Sequence, residues 1–336
     1  MKLKTEQEII NGWKYSDKIY ISIACMTYNQ DSYIERTIKS FLFQKTEYRF
    51  EILIHDDASQ DNTPNIIAKY ASEYPQIFRI IQQASNQYSI KPTLPTLITL
   101  NEAKGDYIAL CEGDDYWLSE DKLQTQLQAM LAYPQVGLSF HGSINLFDNN
   151  KKTEGVNYGE TSKIIPLNRV ILGGGAFMPT ASLLFKSSLL DDFNQILPST
   201  PVGDFYMQVL GSQQGALFVP SIKSIYRKES NGSWSSSAMN TSEEVILTIL
   251  GKHKKGIELL KSMIEHKEHN NLDNALFHEI YVSSRMALTS RKFDLYRNLI
   301  EEVHTSGLSF GLGHSILYLL RKWPPVSLFL FKLFSK

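Results

Sequence analysis

Segments with strand-like and helix-like hydrophobic patterns alternate along residues 19–141, and this alternation limits the possible folds more than any other feature of the sequence. Apolar runs typical of strands occur at 19–26, 50–55, 78–81, 106–111 and 136–141. Between them lie segments with apolar residues at helical spacing, such as Ile34, Ile38 and Phe41. Repeated alternation of this kind predicts a mostly parallel sheet flanked by helices, an α/β architecture.

The residue types at two helix starts are also informative. Ser32 and Glu35 have the spacing of a capping box for the helix after the first strand. Thr63 and Pro64 are typical of the N-cap and first turn of the helix after the second strand. From about residue 241 the sequence changes to long helical runs. We therefore predict an α/β domain over residues 1–240 and a helical C-terminal region over 241–336.

Composition and charge exclude several classes of protein. Apolar residues make up 43% and charged residues 21% of the chain, which is ordinary for a globular protein. The formal net charge of -1 gives no basic surface for a long nucleic acid. Cys25 and Cys111 lie in apolar runs without redox or metal-ligand spacing. Since the N-terminus lacks the apolar core of a signal peptide and no run reaches about 18 apolar residues, we expect a cytoplasmic location.

Polar clusters follow three of the predicted strands. They are "TYNQD" after the first strand, "DDASQD" after the second and "EGDD" after the fourth. Ligands of parallel α/β sheets bind at the carboxyl ends of the strands. The three clusters therefore predict one site at a common edge of the sheet.

The third cluster places Glu112, Asp114 and Asp115 within four residues, where their negative charges repel one another. A bound cation would neutralise them, and oxygen-only ligands suit Mg2+ or Mn2+ bridging to substrate phosphates. A solvated acidic turn that precedes a helix is the alternative. The aromatic pair Tyr116 and Trp117 and the two neighbouring clusters favour a metal–diphosphate site.

These motifs, in this order and spacing, resemble those of the family 2 glycosyltransferases. The resemblance covers roughly residues 19–235 and rests on Thr27-Tyr28-Asn29, Asp56-Asp57-Ala58-Ser59 and Glu112-Gly113-Asp114-Asp115-Tyr116-Trp117. It implies the GT-A fold and transfer of a sugar from a nucleotide-sugar to an acceptor hydroxyl, with inversion at the anomeric carbon. It also implies a place in bacterial surface-polysaccharide assembly.

The resemblance further implies the roles of individual residues around the donor. Asp114 would ligate the metal, with Asp115 supporting the metal or the sugar hydroxyls. Glu112 would approach the ribose or donor sugar. Asp56 or Asp57 would accept a hydrogen bond from the base, which a carboxylate can take from a uracil N–H. The remaining nucleotide-sugar-binding residues would be Thr27, Tyr28, Asn29 and Asn86.

An inverting transfer also needs a general base and a group that stabilises the leaving diphosphate. The resemblance places the base at Asp204 in "VGDF", although Asp204 could instead N-cap its helix, and Asp191 and Asp192 lie nearby. It places Arg227 and Trp234 in a loop over the diphosphate. Glu229 stands where His is common in that loop.

Two rival classes share part of this pattern. A sugar nucleotidyltransferase would need a Gly-rich basic loop after the first strand, and "CMTYNQDSY" has neither glycine nor cation. A non-catalytic metal-dependent binding module would explain Asp57 and Ser59 but not "EGDDYW". His141 ends the fifth strand near the expected site, and its role stays open.

The last stretch, residues 314–336, mixes apolar clusters with Arg321, Lys322, Lys332 and Lys336. Neither apolar cluster is long enough to span a membrane as a helix. Apolar residues beside basic ones suit an interfacial segment on anionic lipid, while packing against the helical region is the alternative. The acceptor would be a saccharide or a lipid-linked molecule.

Overall fold

The computed structural model describes residues 3–228 and 241–334, and the chain divides into two compact units. Met1–Pro198 and Val202–Ser230 belong to the first unit, and Ser199–Pro201 and Asn231–Lys336 belong to the second. The predicted boundary between residues 240 and 241 adjoins a stretch outside the described residues, and it stays a prediction.

The first unit is built on a ten-stranded sheet. Its strands are β1 Ile21–Thr27, β2 Phe50–Asp56, β3 Phe78–Gln82, β4 Tyr107–Leu110, β5 Tyr116–Trp117, β6 Leu138–Leu146, β7 Lys152–Glu154, β8 Lys163–Ile165, β9 Leu184–Lys186 and β10 Ala216–Arg227. Its helices are α1 Glu6–Ile10, α2 Ile34–Leu42, α3 Thr63–Glu73, α4 Gln87–Ile90, α5 Leu94–Asn101, α6 Lys122–Ala132, α7 Leu167–Gly173, α8 Leu190–Ile196 and α9 Asp204–Gly211.

The sheet is parallel in the part that the alternating pattern predicts and mixed beyond it. Its main path runs β3-β2-β1-β4-β9-β6-β10-β5. Strands β1 to β4 pair in parallel, and so do β6 and β10. Strands β5, β7, β8 and β9 pair antiparallel with their neighbours. All five strands predicted from the apolar runs are confirmed, while most of the antiparallel strands are too short to give a hydrophobic period of their own.

Apolar residues of the first strands and the helices beside them form one core. The pattern predicts this because parallel strands are covered by their crossover helices. Ile23 and Ile54 of the sheet belong to the same buried cluster as Phe41 of α2, Ile67 of α3 and Leu127 of α6. This core fixes the strands whose carboxyl ends carry the polar clusters.

The predicted capping box at α2 is wrong. The helix begins at Ile34 after Tyr33, and no side chain caps it. Ser32 Oγ donates to Asp31 Oδ1 at 3.1 Å, and Glu35 accepts from the Tyr70 hydroxyl at 3.0 Å. Ser32 and Glu35 therefore make hydrogen bonds other than those of a capping box.

The second unit is helical. Its helices are α10 Glu243–Met263, α11 His269–Thr289, α12 Phe293–Thr305, α13 Leu312–Leu319 and α14 Pro324–Phe334. Ile246, Tyr281, Leu288, Tyr296 and Leu317 belong to its buried cluster. The Tyr296 hydroxyl donates to Leu317 O at 2.6 Å, which ties α13 to α12. Within residues 3–228 and 241–334, every helix is too short or too polar to cross a membrane.

A buried carboxylate ties the strands together at the end of the sheet opposite the polar clusters. Glu51 accepts hydrogen bonds from Ser22 Oγ at 2.6 Å and from Lys104 N at 2.9 Å, and it pairs with Arg79 at 3.2 Å. Gly105 N donates to Ser22 Oγ at 2.8 Å. The turn before β4 is therefore pressed directly against β1.

This close approach explains the glycine at 105 and gives a prediction. A Cβ at Gly105 would lie 2.5 Å from Ser22 N and 2.7 Å from Ile21 C, which are backbone atoms that cannot rotate away. We expect Gly105→Ala to lower the free energy of unfolding by about 3 kcal/mol, measured by urea denaturation. Gly251→Ala is the control, because no atom lies within 4 Å of its added Cβ and alanine should stabilise α10 by about 0.5–1 kcal/mol. Equal effects of the two substitutions would contradict this account.

Candidate active site

Three loops meet at the carboxyl ends of β1, β2 and β4. Thr27 and Asp56, the last residues of β1 and β2, are paired in register. Gly113 N donates to Met26 O at 2.9 Å, so the loop after β4 continues alongside the end of β1. The three polar clusters therefore lie at one edge of the sheet, as the sequence predicts.

The loops after β1 and β2 are locked together through Asn29. Its backbone N donates to Ser59 Oγ at 2.8 Å, and its Oδ1 accepts from Gln60 N at 2.8 Å. Asn29 has a positive φ of 51°, a conformation that asparagine adopts more readily than most residues. Thr27 is buried and donates through Oγ1 to Gln30 Oε1 at 2.7 Å. Thr27 and Asn29 therefore fix the conformation of the loop after β1, while Tyr28 between them is exposed.

Asp56 and Asp57 are both buried, but their carboxylates have different partners. Asp56 Oδ1 accepts from Ser59 N at 3.2 Å. Its Oδ2 is buried and has no hydrogen-bond partner among the described residues. Asp57 accepts from Gln87 N at 2.7 Å and from Tyr88 N at 2.9 Å, so both its oxygens bind the start of α4.

Asn86 lies beside Asp57 and is the N-cap of α4. Its Oδ1 accepts from Ser89 N at 2.7 Å, and its Nδ2 donates to Asp57 O at 3.3 Å. The structure thus brings Asn86 to the loop after β2, beside Asp57. Its side-chain oxygen has a structural role there.

The acidic loop after β4 is held by its backbone. Thr37 Oγ1 on α2 lies 2.8 Å from Gly113 O and 2.6 Å from Asp115 O. A Cβ on Gly113 would lie 2.8 Å from Thr27 Cβ, so only glycine fits against the end of β1. The backbone of the loop that carries the carboxylates is therefore held in place by α2 and β1.

Arg227, the last residue of β10, also contacts the acidic loop. Its backbone N donates to Asp115 Oδ1 at 2.8 Å, and its Nε donates to Asp114 O at 3.1 Å. Its guanidinium lies over the ring of Tyr33, 4.4 Å from the ring centre. The structure thus brings Arg227 to the acidic loop.

Crowding of the acids shifts their pKa values. Burial raises the pKa of Glu112 well above its usual value, and the charges of Asp204, Asp114 and Asp115 raise it further. Burial also raises the pKa of Asp115, with the charge of Asp114 acting in the same direction and the backbone N–H of Arg227 opposing it. The surroundings of this loop therefore disfavour the ionised forms of Glu112 and Asp115.

Asp204 is the first residue of α9 and faces the acidic loop closely enough to interact with Glu112. Burial raises the pKa of Asp204 to about 6, although a hydrogen bond with Thr180 acts in the opposite direction. The alternative that Asp204 is an N-cap is wrong, because the N-cap residue is Gly203 and no side chain caps the helix. Asp191 is exposed, in the first turn of α8.

Sequence reasoning missed Tyr226. Burial raises the pKa of its hydroxyl to about 12, and the charges of Glu112, Asp115, Asp204 and Asp114 also raise it. The signal was its place directly before Arg227 in the loop motif. Trp234 and Glu229, which the same motif includes, lie outside the described residues.

His141 lies in the core and not in the site. It is fully buried, its Nδ1 is 2.9 Å from Gly142 O, and burial together with Lys122 lowers its pKa to about 3. Lys122, at the start of α6, is also fully buried, with its Nζ 4.0 Å from the centre of the Trp117 ring. Within the described part of the chain, Lys122 Nζ has no hydrogen-bond partner.

This buried amine gives a stability prediction. Burial lowers the pKa of Lys122 from 10.5 to about 7, so folding releases a proton between these values and the protein gains stability as the pH rises. We expect Lys122→Met to raise the free energy of unfolding by about 1–4 kcal/mol at pH 7, with the gain shrinking towards pH 10. Denaturation at several pH values measures this, with the exposed Lys255→Met as a control that changes little. A gain independent of pH would rule out the proton release.

No group of three or more His, Cys, Asp or Glu side chains in residues 3–228 and 241–334 is arranged to hold a metal ion by itself. The acidic loop nevertheless offers the oxygen donors of Asp114 and Asp115. Asp115 Oδ2 is buried and has no hydrogen-bond partner in the described part of the chain. These donors suit a divalent cation that takes its other ligands from substrate or water.

Solved structures similar to this chain define its fold. The chain resembles S. aureus TarS residues 1–349 in complex with UDP-GlcNAc, with a TM-score of 0.57 and 19% identity, over 87% of this chain and 93% of TarS. It also resembles the mannosyltransferase PcManGT from Pyrobaculum calidifontis, solved with GDP-Man and Mn2+, with a TM-score of 0.55 and 13% identity, over 98% and 94% of the chains. The first unit therefore has the GT-A glycosyltransferase fold, as the resemblance implies.

The sequence comparisons identify the family. The family model "Glycosyl transferase family 2" matches residues 22–192, about half of the chain, and the protein belongs to this family. An uncharacterized protein of Mycobacterium tuberculosis is 31% identical over 218 residues, which covers 65% of this chain and 61% of that relative. The match therefore spans less than two thirds of the relative's length.

A second relative has a more specific name. The Escherichia coli protein WfgD is described as a UDP-Glc:alpha-D-GlcNAc-diphosphoundecaprenol beta-1,3-glucosyltransferase. It is 30% identical over 135 residues, which covers 40% of this chain and 49% of WfgD.

Proposed function

We propose that the protein is a metal-dependent, inverting glycosyltransferase that moves a sugar from a nucleotide-sugar, with UDP as the nucleotide, to an acceptor hydroxyl. The proposal rests on one observation: Asp204, at the start of α9, interacts electrostatically with Glu112 of the acidic loop, which also carries Asp114 and Asp115. Inverting transfer needs a base for the acceptor and charge stabilisation for the leaving diphosphate. This cluster supplies candidates for both.

Asp114 would hold Mn2+ or Mg2+, with Asp115 supporting it. The fit is supported by the raised pKa values of Glu112 and Asp115, because a cation would relieve the repulsion and desolvation that raise them. The ion, when bound, would supply positive charge at the leaving diphosphate. Arg227, at the end of β10, and Trp234 would contact the diphosphate.

The nucleoside would bind in the loops after β1 and β2. Asp56 or Asp57 would accept a hydrogen bond from the base, since a carboxylate oxygen that already accepts one N–H keeps a second lone pair. Glu112 would approach the ribose or the donor sugar. The other residues proposed to bind the nucleotide-sugar are Thr27, Tyr28, Asn29 and Asn86.

Asp204 would remove the proton from the acceptor hydroxyl. Its pKa of about 6 leaves it mostly ionised at neutral pH while keeping it a stronger base than an ordinary aspartate. The hydrogen bond with Thr180 would fix its orientation. Asp191 and Asp192 remain the alternatives for this role.

The acceptor would be a saccharide or a lipid-linked molecule in the assembly of a cell-surface polysaccharide. The name of WfgD, whose acceptor carries diphosphoundecaprenol, supports this setting. We propose that the protein works in the cytoplasm at the inner face of the plasma membrane and contacts it through residues 314–336.

The metal proposal gives a first test. Asp114→Asn should lower the rate of sugar transfer at least a hundredfold, because it removes the main ligand of the cation, while the thermal melting temperature should not fall. Transfer from each of a panel of nucleotide-sugars is measured with Mn2+, with Mg2+ and with EDTA. Asp148→Asn, in the turn after β6, is the control. Full wild-type activity in EDTA would refute metal dependence.

The base proposal gives a second test. Asp204→Asn should lower kcat by about 100- to 10,000-fold, while the Kd for the nucleotide-sugar stays within about threefold, since the base acts on the acceptor. The wild-type kcat should rise with pH through about 6, because only the ionised carboxylate accepts the proton. The exposed Asp191→Asn is the matched control. Loss of transfer in that control, with a wild-type rate in Asp204→Asn, would move the role to Asp191.

A further inference from the structure

Large apolar side chains are exposed along the last two helices of the second unit. We define the terminal apolar face as Leu312, Ile316, Leu319, Trp323, Val326, Phe329 and Leu333. Leu312 is 83% exposed, Leu319 68% and Phe329 66%. Exposed apolar residues that recur every three or four positions on a helix mark a surface that another molecule covers.

The opposite sides of the same helices are packed into the unit. Leu317 and Leu328 are buried members of its core cluster, and Tyr318 and Phe331 pack against that cluster. Ser327 is fully buried and donates to Leu320 O at 2.9 Å. Packing therefore accounts for the inner residues of 314–334 and leaves the terminal apolar face unexplained.

The charged residues of α13, α14 and the turn between them are all basic. The sequence carries no Asp or Glu after Glu302. Lys322 and Lys332 are exposed on the same two helices and the turn between them. Arg321 differs, because it lies 3.9 Å from Glu301 and its guanidinium is 3.8 Å from the centre of the Tyr318 ring. An apolar surface flanked by unopposed lysines is complementary to an anionic, apolar partner.

We propose that the terminal apolar face docks on the surface of an anionic lipid bilayer. Its apolar side chains enter the boundary between headgroups and acyl chains, where the indole of Trp323 is well suited, and Lys322 and Lys332 contact lipid phosphates. With 8 and 11 residues, α13 and α14 lie on the bilayer and do not cross it. This inference rests on the membrane contact proposed above and names the side chains and the lipid that make it.

A second copy of the chain is a poorer occupant of this face. A symmetric contact would bring the lysines of one copy towards those of the other, and residues 303–336 carry no carboxylate to neutralise them. An anionic bilayer supplies both the apolar environment and the opposite charge. Bilayer docking is therefore the assignment that the charges favour.

Binding of the protein, residues 1–336, to vesicles, without nucleotide-sugar or metal, tests this assignment. Co-sedimentation with phosphatidylglycerol–phosphatidylcholine vesicles should be strong in low salt and at least tenfold weaker with pure phosphatidylcholine. A triple variant, Leu319→Ser with Trp323→Ser and Phe329→Ser, should bind the anionic vesicles at least tenfold less. A matched variant with Leu172→Ser, Val245→Ser and Leu247→Ser, which are also exposed, should bind like the wild type.

Two results would overturn the inference. One is a triple variant that is folded by circular dichroism and binds anionic vesicles like the wild type. The other is a lipid-free dimer, seen by sedimentation, that only the triple variant dissociates and that does not bind vesicles. Sugar transfer to a water-soluble acceptor, measured in the same proteins, reports on the proposed catalysis separately. Activity with a soluble acceptor and without vesicle binding would refute the docking alone.

Discussion

The repulsion among carboxylates at the carboxyl end of the sheet is the constraint on which the rest of the site depends. Burial raises the pKa of Glu112, and the charges of Asp204, Asp114 and Asp115 raise it further. Partly buried carboxylates that interact in this way are unfavourable unless positive charge stabilises them, because burial and mutual repulsion both disfavour their ionised forms. A fold that retains them gives up stability for a site that attracts positive charge.

The protein holds the acidic loop through contacts in which main-chain atoms take part. Thr37 contacts two carbonyl oxygens of the acidic loop, Gly113 packs against Thr27, and Arg227 gives a backbone N–H to Asp115. These contacts come from α2, β1 and β10, which belong to one sheet and its covering helix. The loop is therefore positioned before any ligand binds, which is the preorganisation that electrostatic catalysis needs.

The sequence predicted the parallel half of the sheet and the meeting of the three polar clusters, because strand periodicity and the rule for carboxyl ends are local signals. It did not predict the start of α2, because Tyr33 N and Ile34 N donate to Gln30 O in a turn and Asp31 N donates to Asp61. Nor did it predict that Asp57 binds the start of α4. The hydrogen bonds that Asp31 and Asp57 make with other loops are not revealed by a pattern within one segment.

The same burial that raises the pKa of Glu112 also makes Asp204 more basic than an ordinary aspartate. An exposed aspartate with its ordinary pKa is a weak base at neutral pH, and a fully paired one is weaker still. Burial raises the pKa of Asp204 to about 6, and its hydrogen bond with Thr180 limits that rise. The balance of these two effects leaves a carboxylate that is ionised in the neutral cell and still able to take a proton. The same few contacts therefore influence both the stability of this edge of the sheet and the basicity of Asp204.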